Sequence, residues 1–218
     1  MSEAPGAGPP QGWLLALHSS SEVLGVGLQR LGAREPERLA AFPLGRDLSQ
    51  RLFACVETVL PAADWPDLAR LAVATGPGGF TGTRLTVGLA RTLAQQLALP
   101  LDGVSSFRLV ARRLWQRGEG PTAGPCWVVQ ELPRRGLVAG LYALDPAVPG
   151  GIVEQRPPRL YTDAGAFADH PQVDAAALLP EDVGQLLAVA QASASLLPQA
   201  PWQPVLPLYP TSPVGEVG

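Results

Sequence analysis

A chain of 218 residues with 16 basic and 19 acidic side chains, net charge −3, can bury a sizeable core without disulfides or metals, and it is too acidic to hold a large nucleic-acid footprint alone. Every basic residue is arginine, which excludes chemistry that needs a lysine amine, such as Schiff bases, pyridoxal phosphate attachment and a P-loop. The 2 cysteines, Cys55 and Cys126, and the 2 histidines, His18 and His170, stand at no ligand spacing, so neither a disulfide framework nor a metal site is expected.

Residues 1–12 read as a flexible, proline-rich tail, and the apolar run Trp13–Leu17 behind it is too short for a signal sequence or a membrane span. The cytoplasm is therefore the expected compartment. Residues 13–18, WLLALH, and Val23–Leu28 read as two strands joined by a turn at Ser19-Ser20-Ser21. A helix is expected from Asp47 to Leu60, with Asp47 as N-cap and Gln50 in capping-box position. Along it Leu48, Leu52, Cys55, Val56 and Val59 recur at helical spacing, and Phe53 and Leu60 widen the stripe. Leu71–Thr75 reads as a buried strand, and the turn Gly76–Gly79 delivers the chain into a second helix over Gly82–Leu97, striped by Leu85, Leu89, Leu93 and Leu97. Gly88, inside that helix, costs ~1 kcal/mol relative to alanine, which suggests that another backbone packs close to it.

Beyond Pro100 a helix is expected over Val104–Gln116, carrying the basic cluster Arg108, Arg112, Arg113 and Arg117. That cluster reads either as a solvated face or as a contact to nucleic-acid phosphate or an acidic partner. Strands are expected at Trp127–Glu131 and Leu137–Leu144 around a turn at Pro133–Gly136, and a last helix at Glu181–Leu197. Pro146–Pro180 shows no clear pattern. Prolines at 198, 201, 204, 207, 210 and 213 enforce an extended path, since each fixes φ and removes a donor. The division expected is a tail (1–12), an N-terminal lobe (13–103), a C-terminal lobe (104–197) and an extended proline-rich tail (198–218).

The run Ala74–Arg84, ATGPGGFTGTR, has the glycines that a tight strand-to-helix turn requires. Two readings stand beside each other. The helix N-terminus could receive a phosphate, with Gly76, Gly78, Gly79, Thr81 and Gly82 around it; or the glycines serve packing alone. Ser19–Ser21 suggest no nucleophile, because no histidine and carboxylate can be set beside them.

The longer string ATGPGGFTGTRLTVGLARTLAQQLALPLDGVSSF resembles the TsaB (YeaZ) family, in which a G-P-G-S-F-T-G-x-R run opens a helix and a Gly-Val-Ser strand follows. LALHSSSEVLGVGL and RDLSQRLFACVETVL resemble that family's opening strands and first helix. The resemblance implies an α/β fold of two ribonuclease-H-like, actin-like ATPase lobes with mixed sheets flanked by helices. It implies a non-catalytic dimerising and activating subunit for threonylcarbamoylation of adenosine 37 of tRNA, docking the transferase subunit TsaD. TsaE would be a further partner, a homodimer would form without TsaD, tRNA would be met only through the complex, and no cofactor would be intrinsic, although ATP or ADP could lie at the complex interface. The partner surface would be the two N-terminal helices, here with Leu48, Leu52, Val56, Val59, Leu85, Leu89 and Leu93.

The chain departs from the family at three places. His18 stands where an aspartate is usual, which counts against holding a magnesium shell. ELPRRG, Glu131–Gly136, replaces an Asp-Ala-Arg-x-Gly turn, with the acid either kept as Glu131 or lost to Leu132. Tyr209-Pro210-Thr211 replaces a terminal Tyr-Leu-Arg. An independent actin-like nucleotide-binding phosphotransferase or ATPase is the alternative function.

Overall fold

The computed structural model describes residues 12–210. The expected N-terminal tail lies outside the described residues except for Gly12, and so do residues 211–218 of the C-terminal one.

The apolar run of β1 (Trp13–His18) has no polar alternation because the strand is central and both its faces are covered. The serine turn returns the chain into antiparallel β2 (Val23–Arg30), and β3 (Arg38–Pro43) adds to the outer side of β2. No strand was expected at β3: RLAAFP lacks β-branched residues and sits at an edge, where exposure imposes little patterning. β4 (Leu68–Ala74) and β5 (Leu101–Val104) join in parallel, giving the five-stranded order β3-β2-β1-β4-β5.

α1 (Leu48–Val59) and α2 (Phe80–Leu97) cover one face of this sheet, burying Leu15, Leu17, Leu24 and Val26. The capping box is not formed. Asp47 ends a short 3-10 turn, Gly45–Asp47, with φ −80° and ψ −3°, and its carboxylate makes no cap hydrogen bond; an N-cap needs an extended residue to aim its oxygen at the helix.

β5 occupies Leu101–Val104, so the next helix, α3 (Ser106–Gln116), starts later than the expected Val104. The second sheet contains β6 (Cys126–Leu132), β7 (Gly136–Leu144), β8 (Ile152–Tyr161) and β9 (Gln172–Asp174) in the order β8-β7-β6-β9. Each sheet therefore sets its first four strands in the order third, second, first, fourth, with the fourth parallel to the first. The two differ after the third strand. Where the first sheet has α1, the second has one short 3-10 turn, Ala164–Phe167, and buried Phe167 packs on Trp127 and Tyr161 in place of a helix.

α4 (Glu181–Leu196) follows the second sheet in sequence but packs on the first, through Val183, Leu186 and Leu187 against Leu14, Ala16 and Ala72. Gly25 and Gly27 of β2 make room for it, since a Cβ on either would sit about 2.4–2.5 Å from a Val183 methyl. α3 lies with α4 between the sheets, giving Phe107, Val110 and Ala111 to the second core and Leu109 to the first. The architecture is α/β with two mixed sheets flanked by helices, as expected.

Candidate functional site: the glycine turn and the paired helices

The turn between β4 and α2 is held by main-chain bonds on two sides. Gly79 N–H donates to the Ser20 carbonyl at 2.7 Å, and Ser106 N–H donates to the Gly76 carbonyl at 2.7 Å. The glycines follow from these contacts. A Cβ on Gly78 would lie 2.2 Å from the Ser20 oxygen and one on Gly82 2.6 Å from the Ser19 oxygen, while Gly76 takes φ +97°. Thr81 is exposed at the start of α2. Ser19 and Thr86 hydroxyls share a hydrogen bond of 2.8 Å, and Ser20 Oγ bonds Ser106 Oγ. The serine loop is thus bonded to α2 and α3, with no histidine and carboxylate among those hydroxyl partners. Beside it opens a groove of about 520 Å³ lined by Ser21, Glu22, Arg46, Ser49, Thr81 and Gly82 among others. Among the described residues, the N–H groups of Phe80, Thr81 and Gly82 have no acceptor in the chain.

His18 ends β1 fully buried. Its Nδ1 accepts from Ser20 N–H at 3.4 Å, and Nε2 has no partner among the described residues. Burial pushes its pKa down to about 4, so the ring is neutral at neutral pH, sealed from solvent and unsuited to general-base work. Burial also raises the Cys126 thiol to about 11, leaving it unreactive. Among the described residues no group of three or more His, Cys, Asp or Glu could hold a metal ion, and no helix is long and apolar enough to cross a membrane.

Of the seven leucines and valines expected at a partner surface, Leu48, Leu52, Val56, Val59, Leu89 and Leu93 lie in the chain's own core, and Leu85 is half-buried at its edge. Their burial has a simple cause. An apolar stripe at helical spacing marks the face turned toward the nearest sheet, and α1 and α2 have one beneath them. The surface that remains outside is a shallow groove of about 340 Å³ between the helices, walled by Phe53, Arg84, Leu85 and Gly88 among others, with the edges of Leu52 and Leu89 at its floor. Phe53 is 54% exposed there. Gly88 has nothing within 4 Å of where its Cβ would stand, so no backbone among the described residues packs on it. Phe53 was visible in the sequence only as a residue widening the stripe.

Arg108, Arg112 and Arg113 are neither a solvated face nor a free patch, while Arg117 is exposed. Arg108 donates to the carbonyls of Ile152 at 2.8 Å and Pro149 at 2.6 Å, and Arg112 to that of Gly150 at 2.9 Å. Arg113 pairs with Asp182 at 2.8 Å and donates to Ala176 O at 2.7 Å, and Arg117 pairs with Glu181. These bonds tie α3 to α4 and to the second sheet. In ELPRRG, Glu131 and Leu132 both belong to β6, opposite Leu137 and Gly136, so Glu131 is an exposed strand residue and the turn proper is Pro133–Arg135.

A family model described as "TsaD: tRNA N6-adenosine threonylcarbamoyltransferase" matches residues 44–129. The protein named tRNA threonylcarbamoyladenosine biosynthesis protein TsaB from Bacillus subtilis is 36% identical over 100 residues, 45% of this chain and 43% of that protein. Its Escherichia coli namesake is 33% identical over 107 residues, 48% of this chain and 45% of that protein. The solved structure of YeaZ from Pseudomonas aeruginosa superposes with a TM-score of 0.69 at 25% identity, covering 91% of this chain and 99% of that one. The chain is similar to the TsaB (YeaZ) family in sequence over nearly half its length and in fold over both sheets. A further structure from Pseudomonas aeruginosa, described as similar to peptidase YEAZ, has a TM-score of 0.71 at 23% identity, covering 92% of this chain and 100% of that one, and shows the shared fold. The two mixed sheets are accordingly the two lobes of an actin-like fold. In sequence the chain matches less than half the length of these curated TsaB relatives, whereas the structural likeness spans both lobes.

Proposed function

We propose that this chain is a non-catalytic dimerising and activating subunit for formation of N6-threonylcarbamoyladenosine at position 37 of tRNA, and that it docks a TsaD transferase subunit through the outer face of α1 and α2. One observation carries the docking: the groove between these helices exposes Phe53, half-buried Leu85 and the open backbone at Gly88, a small-residue surface onto which another helix can pack closely. The pathway is that for which the TsaB relatives are named. The buried, neutral His18 and the structural roles of Ser19 and Ser20 support a non-catalytic role. On the same reading two copies pair through this face when TsaD is absent, TsaE joins the assembled complex, and tRNA is met only through the complex. ATP or ADP has a place at the junction, where the α2 N-terminus and Thr81 border the groove with Arg46.

Size-exclusion co-elution with purified TsaD tests the docking. Leu85→Glu is expected to abolish co-elution and complex-dependent modification while leaving the far-UV spectrum of the chain unchanged; undiminished co-elution would overturn the interface. Reconstitution with TsaD, TsaE and the threonylcarbamoyl-adenylate synthase, with and without this chain, tests activation, and modification independent of the chain would overturn it. Tight Mg-ATP binding with turnover by the chain alone would favour the phosphotransferase reading.

A further inference from the structure

The proline-rich segment 198–210 has a place in the fold that a mere tail does not need. It leaves α4, crosses the open edge of β5 and runs back along α2 to the glycine turn. Leu101 N–H of β5 donates to the Ala200 carbonyl at 3.1 Å, and Arg91 of α2 donates to the Val205 carbonyl at 3.0 Å while its guanidinium lies over Trp202. Val205 is buried in the main core, seated over Gly103, where a Cβ would meet its methyl at 2.8 Å. Leu208 N–H donates at 2.7 Å to the carbonyl of Thr75, the residue that enters the glycine turn. The Leu208 carbonyl lies 3.1 Å from the Cβ position of Gly76, and the Tyr209 ring packs on Phe80 at 4.9 Å.

We propose that this segment is a latch that positions the Gly76–Gly82 turn and the first turn of α2. The turn has the serine loop on one side and α3 on another; the latch supplies its third wall at Thr75 and Gly76 and, through Tyr209 on Phe80, the brace at the helix start. Proline at every third position suits the task. It holds the segment extended before docking and withholds donors that would pair it as a full strand, so the ordering cost is low and the hold is local. Buried Val205 and half-buried Trp202 and Leu208 are spaced at three, between the prolines. A single buried valine and a few bonds hold the segment, so it opens with far less free energy than the core. The latch also blunts the unpaired edge of β5. A released latch would loosen the end of α2 that borders the proposed docking groove; that consequence rests on the docking reading above.

Amide hydrogen exchange on the free chain tests the latch without any partner, so a failure to dock and a failure to latch are told apart. Removing residues 198–218, or Val205→Asp, is expected to speed exchange at Gly79, Thr83 and Leu101 by about tenfold or more, with β1 and β6 unchanged. A synthetic peptide of residues 198–212 added to the truncated chain is expected to restore protection. Arg91→Ala, a milder change at a half-buried side chain, is expected to give a smaller rise at the same amides and decides the matter if the truncated chain does not fold. Unchanged exchange at Gly79 and Thr83 in Arg91→Ala and in any folded latch variant would overturn the proposal.

Discussion

α1 and α2 on one face of the first sheet and α3 and α4 on the other differ in what they leave to solvent. The first pair turns its leucines inward and presents a thin surface of Ser49, Phe53, Leu85, Gly88 and Thr92. The other pair lies between the two sheets, and its charged side chains are bonded within the chain, with Asp182 fully buried against Arg113 and Leu178 N–H. By sequence, the stripes of α1 and α2 read as a partner surface, and the arginines of α3 as a solvated face or a contact to phosphate or an acidic partner. The structure reverses both impressions, because a stripe or a cluster only reports that a face is used, and the neighbouring sheet or helix decides by what.

The sharpest break between the pairs comes from two leucines a single helical turn apart. Leu89→Glu places a carboxylate in the core and is expected to cost about 4 kcal/mol or more, enough to remove the cooperative thermal transition. Leu85→Glu, at the rim, is expected to shift the midpoint little and to act on association instead. Next in size, Arg113→Ala leaves the Asp182 carboxylate buried without its cation and is expected to destabilise by about 3–5 kcal/mol in urea titrations. Adding Asp182→Leu is expected to recover part of that loss, so the double variant should fall short of the sum of the singles.

A further effect belongs to His18, on the same face of the first sheet as α4. Its folded pKa, about 4, lies below the ordinary value of 6.5, so the unfolded chain binds the proton more readily. The stability it contributes is fully present above pH 6.5 and is lost as pH falls toward 4, about 3 kcal/mol in all. Asp102 and Asp182, raised by burial, work in the opposite direction, since protonation favours their folded forms. The difference between wild type and His18→Asn across pH 4–6.5 isolates the histidine, and equal slopes in the two would refute this account. The smallest expected effect is that of Asp47→Ala. With no cap bond to lose, it should change stability by less than about 0.5 kcal/mol, where a true N-cap costs ~1 kcal/mol.

Legibility followed how local each signal was. The serine hairpin, α1, α2, α4 and the β6–β7 hairpin were all readable, because turn residues and helical spacing act within a few positions of one another. β3, β8 and β9 were not. β8 is an edge strand interrupted by Pro157-Pro158, and β9 is short, so pairing partners rather than their own residues define them. Within the candidate site, the glycines were legible as a tight turn, but what made them necessary, the Ser19 and Ser20 carbonyls, lies far away in sequence.

By itself the sequence determined the resemblance to the TsaB (YeaZ) family, through the run from Gly76 to Arg84, and the chemistry that the lack of lysine excludes. It also determined that α1 and α2 each bury one face. Only the tertiary structure decided that those faces belong to the chain's own core, that the arginines of α3 hold the two sheets together, and that the proline segment lies along α2. The physical reason is the same in each case. Periodicity and composition record how strongly a face avoids or seeks water, whereas the identity of the group that satisfies it is set by contacts between distant residues, which folding alone brings together.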